Sequence, residues 1–311
     1  MLPGFLHWAF PAPIRPRLPQ VSAGRIERYA DFASRFVPAH TVDVWLPPGY
    51  SESHRYAVLY MQDGQMLFDA GLTWNAQEWR ADETASRLMA EGKVRPFIIV
   101  AVHNGGANRH SEYFPQKPFE SLPANEQNAV MVAKRTAQTA LFSAPIASDA
   151  YLRFLTQELK PFIDRRYAVK TGAADTVILG SSMGGLISWY ALAEYPQLFG
   201  AAGALSTHWP GLMPTAPNYS AESNPVPDAF FRYMAEHLPE PGTHRLYFDY
   251  GTATLDAYYP ALQAEADAVL RARGYSPNNW QSQRFEGAEH SEAAWAERLS
   301  IPLQFLLPPE N

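Results

Sequence analysis

The second half of the chain alternates between short apolar segments and longer segments with the residue spacing of helices. The predicted strands are Thr176–Leu179, Ala201–Leu205, Arg245–Tyr250 and Gln281–Phe285, and the helices that follow them are Met183–Glu194, Asp228–His237, Tyr259–Arg273 and Ser291–Phe305. Strands that alternate with helices favour a mainly parallel, twisted sheet with helices on both faces. The sequence therefore predicts an α/β fold.

The first half of the chain contributes further strands to this sheet. Alternating polarity over Arg25–Ala33 and Thr41–Leu46 predicts two half-buried strands. The apolar runs Ala57–Met61 and Phe97–Val102 are typical of strands covered on both faces. The apolar positions of Tyr151–Arg165 fall on one side of a helix.

Composition excludes several classes of function. The formal net charge is −6 and the basic residues are scattered, so neither a nucleic-acid face nor an anionic-membrane anchor is expected. No apolar run approaches the roughly 18 residues of a membrane span. The chain contains no cysteine, which excludes disulfides and a thiol nucleophile. No intact signal peptide is visible at the N-terminus, and the compartment and oligomeric state stay open.

One motif carries chemistry. Gly180-Ser181-Ser182-Met183-Gly184 has the pattern Gly-x-Ser-x-Gly and lies between a predicted strand and a predicted helix. In that setting the central serine sits on a sharp turn that projects its hydroxyl above the sheet, and the two glycines avoid a clash. The motif predicts Ser182 as a nucleophile and the Met183 N–H as a donor to an oxyanion.

A serine nucleophile needs a histidine that accepts its proton. In this kind of fold the base follows the last strand, and the chain order is serine, acid, histidine. His290 satisfies that order. His208 is the rival, because it follows the strand after the nucleophile, whereas His244 precedes a strand at the wrong end of the sheet.

Several stretches resemble the putative esterase family, which includes esterase D, siderophore esterases, feruloyl and acetylxylan esterases and mycolyltransferases. They are Gly180–Gly185, Tyr195–Gly200, Tyr60–Gln65, Glu158–Asp164 and Gly287–His290. The resemblance runs from roughly residue 40 to residue 305. It implies an α/β-hydrolase fold, ester-bond chemistry and no cofactor.

The resemblance also implies further site residues. Many relatives carry the acid three residues beyond the glycine that corresponds to Gly251, where this chain has Thr254. Asp256 is the next carboxylate on that loop and is the predicted acid, with Asp249 as the alternative; a serine–histidine pair without an acid is a further alternative. An Asp-Gly-x segment supplies an oxyanion donor in the mycolyltransferases, which implies the Gln65 N–H here.

Substrate contacts are expected from aromatic residues in the loops above the sheet. The predicted substrate-binding residues are Trp74, Trp79, Arg109, Tyr113 and Trp209, because flat rings stack on sugars and phenolic groups. For Arg109 a structural salt bridge is favoured over contact with an acidic substrate. No metal-ligand spacing is visible, so metal-free catalysis is expected.

We expect one domain over residues 1–311, with a proline-rich arm at 1–24 and insertions over the active site at 116–147 and 209–227, where Ala129–Leu141 favours a helix. The predicted function is a serine carboxylesterase acting on a small-molecule or carbohydrate-linked ester, such as an acetyl, feruloyl or siderophore ester. An acyltransferase is the first alternative, and a carbohydrate-binding scaffold without catalysis is the second.

Overall fold

The structure is a computed structural model that describes residues 17–216 and 219–310. Residues 1–16 of the predicted arm and residues 217–218 of the second predicted insertion lie outside the described residues. The strands are β1 (Arg25–Phe32), β2 (His40–Leu46), β3 (Ala57–Met61), β4 (Phe97–Val102), β5 (Thr176–Ser181), β6 (Ala201–Leu205), β7 (Arg245–Gly251) and β8 (Trp280–Phe285).

These strands form one sheet in the order β1-β2-β4-β3-β5-β6-β7-β8. Strand β2 pairs antiparallel with β1 and with β4, and every other pair in the sheet is parallel. The carboxyl ends of β5, β6 and β7 therefore open onto the same edge. The predicted α/β-hydrolase fold is confirmed, since all eight predicted strands are present with shifts of only one or two residues at their ends.

Helices cover both faces of the sheet. They are α1 (Ala81–Ala90), α2 (Arg109–Tyr113), α3 (Gln116–Glu120), α4 (Ala124–Met131), α5 (Ser148–Arg153), α6 (Lys160–Arg166), α7 (Met183–Glu194), α8 (Val226–His237), α9 (Pro260–Ala272), α10 (Glu292–Arg298) and α11 (Ser300–Leu306). Short 3-10 turns lie at Gly64–Met66, Ala70–Leu72, Gly106–Asn108, Ala173–Asp175 and Thr254–Tyr258.

Strand β3 shows how the sheet builds two cores. Val58 and Tyr60 point into the core formed with α7, α8 and α9, whereas Leu59 and Met61 point into the core formed with α1 and α11. Because successive strand residues face opposite sides, both faces must be apolar. Helix α7 is buried on nearly every side, which explains its largely apolar sequence.

Three predicted helices differ from the structure, two of them because of proline. A π-helical turn at Phe154–Leu159 divides the predicted helix Tyr151–Arg165, and Pro161 follows it. The predicted helix Ser291–Phe305 is two helices that meet at Leu299. Proline has no amide hydrogen to donate to the carbonyl four residues earlier. In an unbroken helix the Arg298 carbonyl would need that bond from Pro302, so the helix is interrupted there.

The third difference concerns Ala129–Leu141, which is helical only as far as Met131. A turn follows, closed by a bridge between Lys134 and Ala140. The hydroxyl of Thr136 accepts hydrogen bonds from the amides of Gln138 and Thr139. Such local bonds satisfy the backbone without a helix, and the prediction was wrong for this part.

Candidate active site

Ser182 lies at the turn between β5 and α7, with φ +56° and ψ −122°. Positive φ is uncommon for a residue with a side chain and is held here by its surroundings. The Ser182 amide donates to the Leu205 carbonyl of β6 at 2.9 Å. A Cβ atom on Gly180 would lie 2.6 Å from the Gly184 carbonyl oxygen. The strained turn therefore depends on the glycine two residues before the serine.

His290 and Asp256 form a hydrogen-bonded pair. The distance from His290 Nδ1 to Asp256 Oδ1 is 2.6 Å. The other carboxylate oxygen, Oδ2, accepts from the Gly251 amide and the Ser206 hydroxyl, both at 2.6 Å. Burial alone would raise the pKa of Asp256, but the bonds from His290 and Ser206 outweigh it and hold that pKa below the ordinary value. Asp256 is therefore an ionised acceptor, and the pairing leaves Nε2 of His290 free.

The loops that carry the acid and the histidine are joined through their backbones. The amides of Thr252 and Ala253 both donate to the Ala288 carbonyl, at 3.1 and 3.0 Å. A Cβ atom on Gly251 would lie 2.1 Å from that same oxygen. The hydroxyl of Thr254 accepts from the His290 amide at 2.8 Å. Thr254, the position at which the resemblance implied an acid, thus holds the backbone of His290.

The rival residues have other partners. His208 Nδ1 lies 2.8 Å from the Tyr259 hydroxyl rather than from a carboxylate. Burial, reinforced by the nearby His290, lowers the pKa of His208 to about 3, so its imidazole is neutral. Asp249 accepts from Arg298 at 3.0 Å. His244 Nε2 lies 2.8 Å from the Pro196 carbonyl oxygen, outside the cavity that contains Ser182.

Ser182 and His290 line one open cavity of about 960 Å³. Met183, Gln65, Trp79 and Arg109 line it as well, and Trp74 stands at its rim with 84% of its surface exposed. Residues between Arg135 and Ser143 form part of the wall. The cavity is thus wide enough for a substrate larger than a short acyl ester.

Two backbone amides beside the serine are available as donors. Met183 is the first residue of α7, and Gln65 lies in the turn after β3. Within residues 17–216 and 219–310, neither N–H has a hydrogen-bond acceptor. The amide of Met183 also begins a helix, where the partial positive charge of the helix dipole lies. Both amides can therefore serve an oxyanion.

Arg109 makes a salt bridge, the role that the sequence analysis favoured for it. Its guanidinium donates to both oxygens of Asp63, at 2.6 and 2.7 Å. Although burial works against the charged form, the Asp63 carboxylate raises the pKa of Arg109 above its ordinary value. Glu112, three residues after Arg109, lies against His40 instead, at 3.4 Å. Arg109 therefore fixes the turn that presents the Gln65 amide.

Two of the predicted substrate-binding residues lie outside the cavity. Tyr113 and Trp209 are fully buried and do not contribute to its wall. Trp209 donates to the Gln263 side chain at 2.8 Å and packs beside Trp189. The Tyr113 ring packs against Tyr151. An aromatic residue in a loop fills the local core as readily as a pocket, so the prediction was wrong for these two.

Comparison with known proteins identifies the family. Residues 36–306 match the family described as Putative esterase. The chain belongs to this family. The match confirms the resemblance to this family that was found in the sequence.

Curated relatives match this chain over part of their length. An endo-1,4-beta-xylanase/feruloyl esterase of Xylanibacter ruminicola is 25% identical over 191 residues, which are 60% of this chain and 22% of the relative. The uncharacterized protein YbbA of Bacillus subtilis is 25% identical over 168 residues, 53% of this chain and 56% of the relative. The chain therefore spans about a fifth to about half of the length of these relatives.

Solved structures share the fold of this chain. A ferulic acid esterase superposes with a TM-score of 0.62 at 19% identity, over 91% of this chain and 98% of its own. The enterochelin esterase of Shigella flexneri gives a TM-score of 0.61 at 16% identity, over 95% of this chain and 62% of its own. At these identities the likeness concerns the fold.

Several residues around the site were not predicted. Ser206 contacts Asp256, and Tyr259 contacts His208. Trp295 packs edge-on against His290 with ring centroids 5.0 Å apart. Glu292 accepts from Asn75 at 2.6 Å in the cavity wall. Ser206 directly follows β6, the strand beside the nucleophile strand, and that position was the available signal. Trp295 and Tyr259 carry no comparable signal.

Within residues 17–216 and 219–310, no group of three or more His, Asp or Glu side chains has an arrangement that could hold a metal ion. No helix there has the length and apolar character that crossing a membrane requires.

Proposed function

We propose that the protein is a serine carboxylesterase that works through an acyl-enzyme. The observation that carries the proposal is the placement of Ser182, on its strained turn, in one cavity with the His290–Asp256 pair. Ser182 is the nucleophile, His290 the base and Asp256 the group that orients the imidazole. The 2.6 Å contact favours the tautomer with hydrogen on Nδ1, which leaves Nε2 as the proton acceptor.

The reaction follows from these roles. Ser182 Oγ attacks the ester carbonyl while its proton passes to His290 Nε2, and the tetrahedral oxyanion accepts hydrogen bonds from the Met183 and Gln65 amides. The C–O bond to the alcohol breaks, and His290 gives the alcohol its proton. Water then attacks the acyl-enzyme, His290 takes the proton of the water, and the acid is released as Ser182 recovers its hydrogen.

The proposed substrates are carbohydrate-linked acetyl or feruloyl esters, with siderophore esters as the other class. An exposed tryptophan at the rim of a wide cavity favours a flat or sugar-bearing group. The names of a xylanase/feruloyl esterase relative and of a ferulic acid esterase with the same fold support this class. Arg109 supports the site as a salt bridge, while Trp74 and Trp79 are the proposed contacts.

We also propose a single catalytic domain. One eight-stranded sheet runs through both halves of the chain, which supports this organisation. Wall residues between Arg135 and Ser143, together with Met213, support the proposal that the segments 116–147 and 209–227 extend over the cavity.

The test is hydrolysis of an ester panel together with labelling by a fluorophosphonate probe. The panel contains p-nitrophenyl acetate, p-nitrophenyl butyrate, methyl ferulate, acetylated xylan and a cyclic catecholate siderophore. Ser182→Ala is expected to abolish both turnover and labelling. Ser181→Ala, which removes the adjacent hydroxyl, is the matched control and should keep both. Labelling that survives in Ser182→Ala contradicts the assignment of the nucleophile.

The alternative functions have their own outcomes in this test. Transfer of the acyl group to added alcohols at the expense of hydrolysis would identify an acyltransferase, because the same acyl-enzyme serves both reactions. A protein that neither turns over any ester nor reacts with the probe would be a scaffold without catalysis. Product analysis by mass spectrometry separates the first outcome from simple hydrolysis.

A further inference from the structure

A buried hydrogen-bonded chain lies behind the acid of the proposed site. Ser206, the residue after β6, is fully buried and has φ +43°. Its hydroxyl lies 2.6 Å from Asp256 Oδ2. The Ser206 hydroxyl oxygen accepts hydrogen bonds from the Trp295 indole N–H and from the Arg298 guanidinium, both at 2.9 Å. Three side chains therefore meet at the Ser206 hydroxyl, one from the loop after β7 and two from helix α10.

The direction of these hydrogen bonds follows from the chemistry of the partners. An indole N–H and a guanidinium can only donate. The two donors occupy both lone pairs of the Ser206 oxygen, so the hydroxyl hydrogen has to be given to Asp256. Ser206 is thus committed as a donor to the carboxylate and cannot rotate away without losing that bond.

Arg298 adds a positive charge behind the hydroxyl. Its NH2 group also donates to Asp249 Oδ1 at 3.0 Å, and both side chains are buried. A cation that donates to a hydroxyl oxygen polarises the O–H bond and strengthens the next hydrogen bond in the chain. Asp249 keeps Arg298 in place. The buried Arg298–Asp249 pair thereby supports the hydrogen bond from Ser206 to Asp256.

We propose that Ser206 is a positioning residue that holds the Asp256 carboxylate and draws negative charge from it, and that it thereby sets the basicity of His290. Trp295 and Arg298 polarise its hydroxyl for this purpose. The inference rests on the proposed esterase function. Ser206 does not line the cavity and acts only through Asp256.

Other titratable groups surround the chain. Those facing His290 and its acid are Asp256, Tyr259, His208 and Glu292, and those facing Arg298 are Asp249 and Tyr247. Burial raises the pKa of Asp249 to about 6, in the range where a histidine titrates. Asp249 is present in every variant compared below, so its own titration contributes to all the profiles.

The test compares pH–rate profiles of the wild-type protein and Ser206→Ala on p-nitrophenyl acetate. Without the Ser206 hydroxyl the negative charge of Asp256 is less dispersed and attracts the imidazolium more strongly. The acid limb of kcat/KM is therefore expected to move to higher pH. The value of kcat should fall about ten- to hundredfold, the range expected for a hydrogen bond to a charged group, with KM unchanged.

Ser148→Ala is the matched control. Ser148 is equally buried, and its hydroxyl accepts from the Gln116 amide away from the cavity. It should lose thermal stability to a similar degree while keeping the wild-type profile. If Ser206→Ala behaves like this control, with kcat and the acid limb unchanged, the inference is overturned. A limb that moves to lower pH overturns it as well.

A second variant keeps the inference testable if Ser206→Ala does not fold. Trp295→Phe retains a packed ring beside His290 but removes one donor to Ser206. Trp295→Phe should move the acid limb of kcat/KM to higher pH, but by less than Ser206→Ala does. An acid limb that does not move contradicts the inference. In a folded Ser206→Ala background it should add no further shift, because its route to Asp256 is already lost.

The two hypotheses fail in different ways. A wild-type protein with no turnover and no fluorophosphonate labelling refutes the esterase proposal and the inference together. Wild-type activity with an unaltered Ser206→Ala profile refutes the inference alone.

Discussion

Two part-buried acid–histidine pairs lie on opposite halves of the same sheet. In the half that carries Ser182, His290 Nδ1 lies 2.6 Å from Asp256. In the half formed by the antiparallel strands, His103 Nε2 lies 2.9 Å from Asp43. Both carboxylates are fully buried. By distance and burial alone the two pairs look alike.

The difference lies in the other partners of each carboxylate. Arg28 donates to both oxygens of Asp43, at 2.7 and 2.6 Å, so a permanent cation already neutralises that acid. Among residues 17–216 and 219–310, the partners that donate to Asp256 besides its histidine are the uncharged groups of Gly251 and Ser206. The charge of Asp256 therefore remains available to stabilise an imidazolium, whereas that of Asp43 is taken up by structure.

The largest expected effect separates the two histidines. His290→Gln should lower kcat on p-nitrophenyl acetate by about 10⁴-fold or more, because the serine loses its base. His103→Gln is the matched control and should change kcat by less than about threefold. Spectrophotometric initial rates measure both variants. Comparable losses in the two would mean that the pairs do not differ as described.

Substitutions of the two acids should differ nearly as much in their effect on kcat. Asp256→Asn is expected to lower kcat by about 10³- to 10⁴-fold, since the histidine loses the partner that fixes its tautomer. Asp43→Asn should leave kcat within about threefold but lower the free energy of unfolding by about 3 kcal/mol, because Arg28 loses its buried counter-ion. Urea unfolding and rate measurements on the same preparations check this. Full activity in Asp256→Asn would indicate a serine–histidine pair without an acid.

The pH dependence of stability tests the structural role of the Asp43–His103 pair. Burial opposes the ionised form of Asp43, but Arg28 and His103 outweigh it and lower its pKa below the ordinary value. A lowered pKa contributes stability above the unfolded value of about 3.9, which is lost as the pH falls through the lower folded value. The free energy of unfolding should therefore decline below about pH 4, and less steeply in Asp43→Asn. Parallel declines would contradict the role of Asp43.

The smallest effect is expected at the rim, where neither pair is touched. Trp74→Ala should raise KM for methyl ferulate about two- to fivefold and leave kcat unchanged, because an exposed ring contributes to binding alone. Leu72→Ala, an exposed apolar change outside the cavity wall, is its control. A change in kcat in Trp74→Ala would connect the rim to the reacting groups.

Much of the fold could be predicted because it depends on local periodicity. The strands are short apolar or alternating runs, and the turn at Ser182 is recognisable from two glycines between a strand and a helix. His290 followed from chain order, since a parallel sheet places the loop after the last strand on the same edge. These features need only the residue's neighbours in sequence and the topology.

The remaining features depend on contacts between distant parts of the chain. The hydroxyl of Ser206 is hydrogen-bonded to a carboxylate 50 residues later and to an indole 89 residues later. No sequence pattern predicts these contacts. Nor does residue type distinguish Trp74, which is exposed at the rim, from Trp209, which fills the core. The position of the acid was predicted only from the order of carboxylates along a loop.

The backbone bonds between the acid loop and the histidine loop have a consequence for motion. Thr252 and Ala253 share one carbonyl of the other loop, and His290 is tied back to Thr254. Segments joined in this way open as one cooperative unit rather than separately. In native-state hydrogen exchange, the amides of Ala253 and His290 should exchange with a common rate and a common dependence on denaturant. The acid and its histidine would then be lost together or not at all.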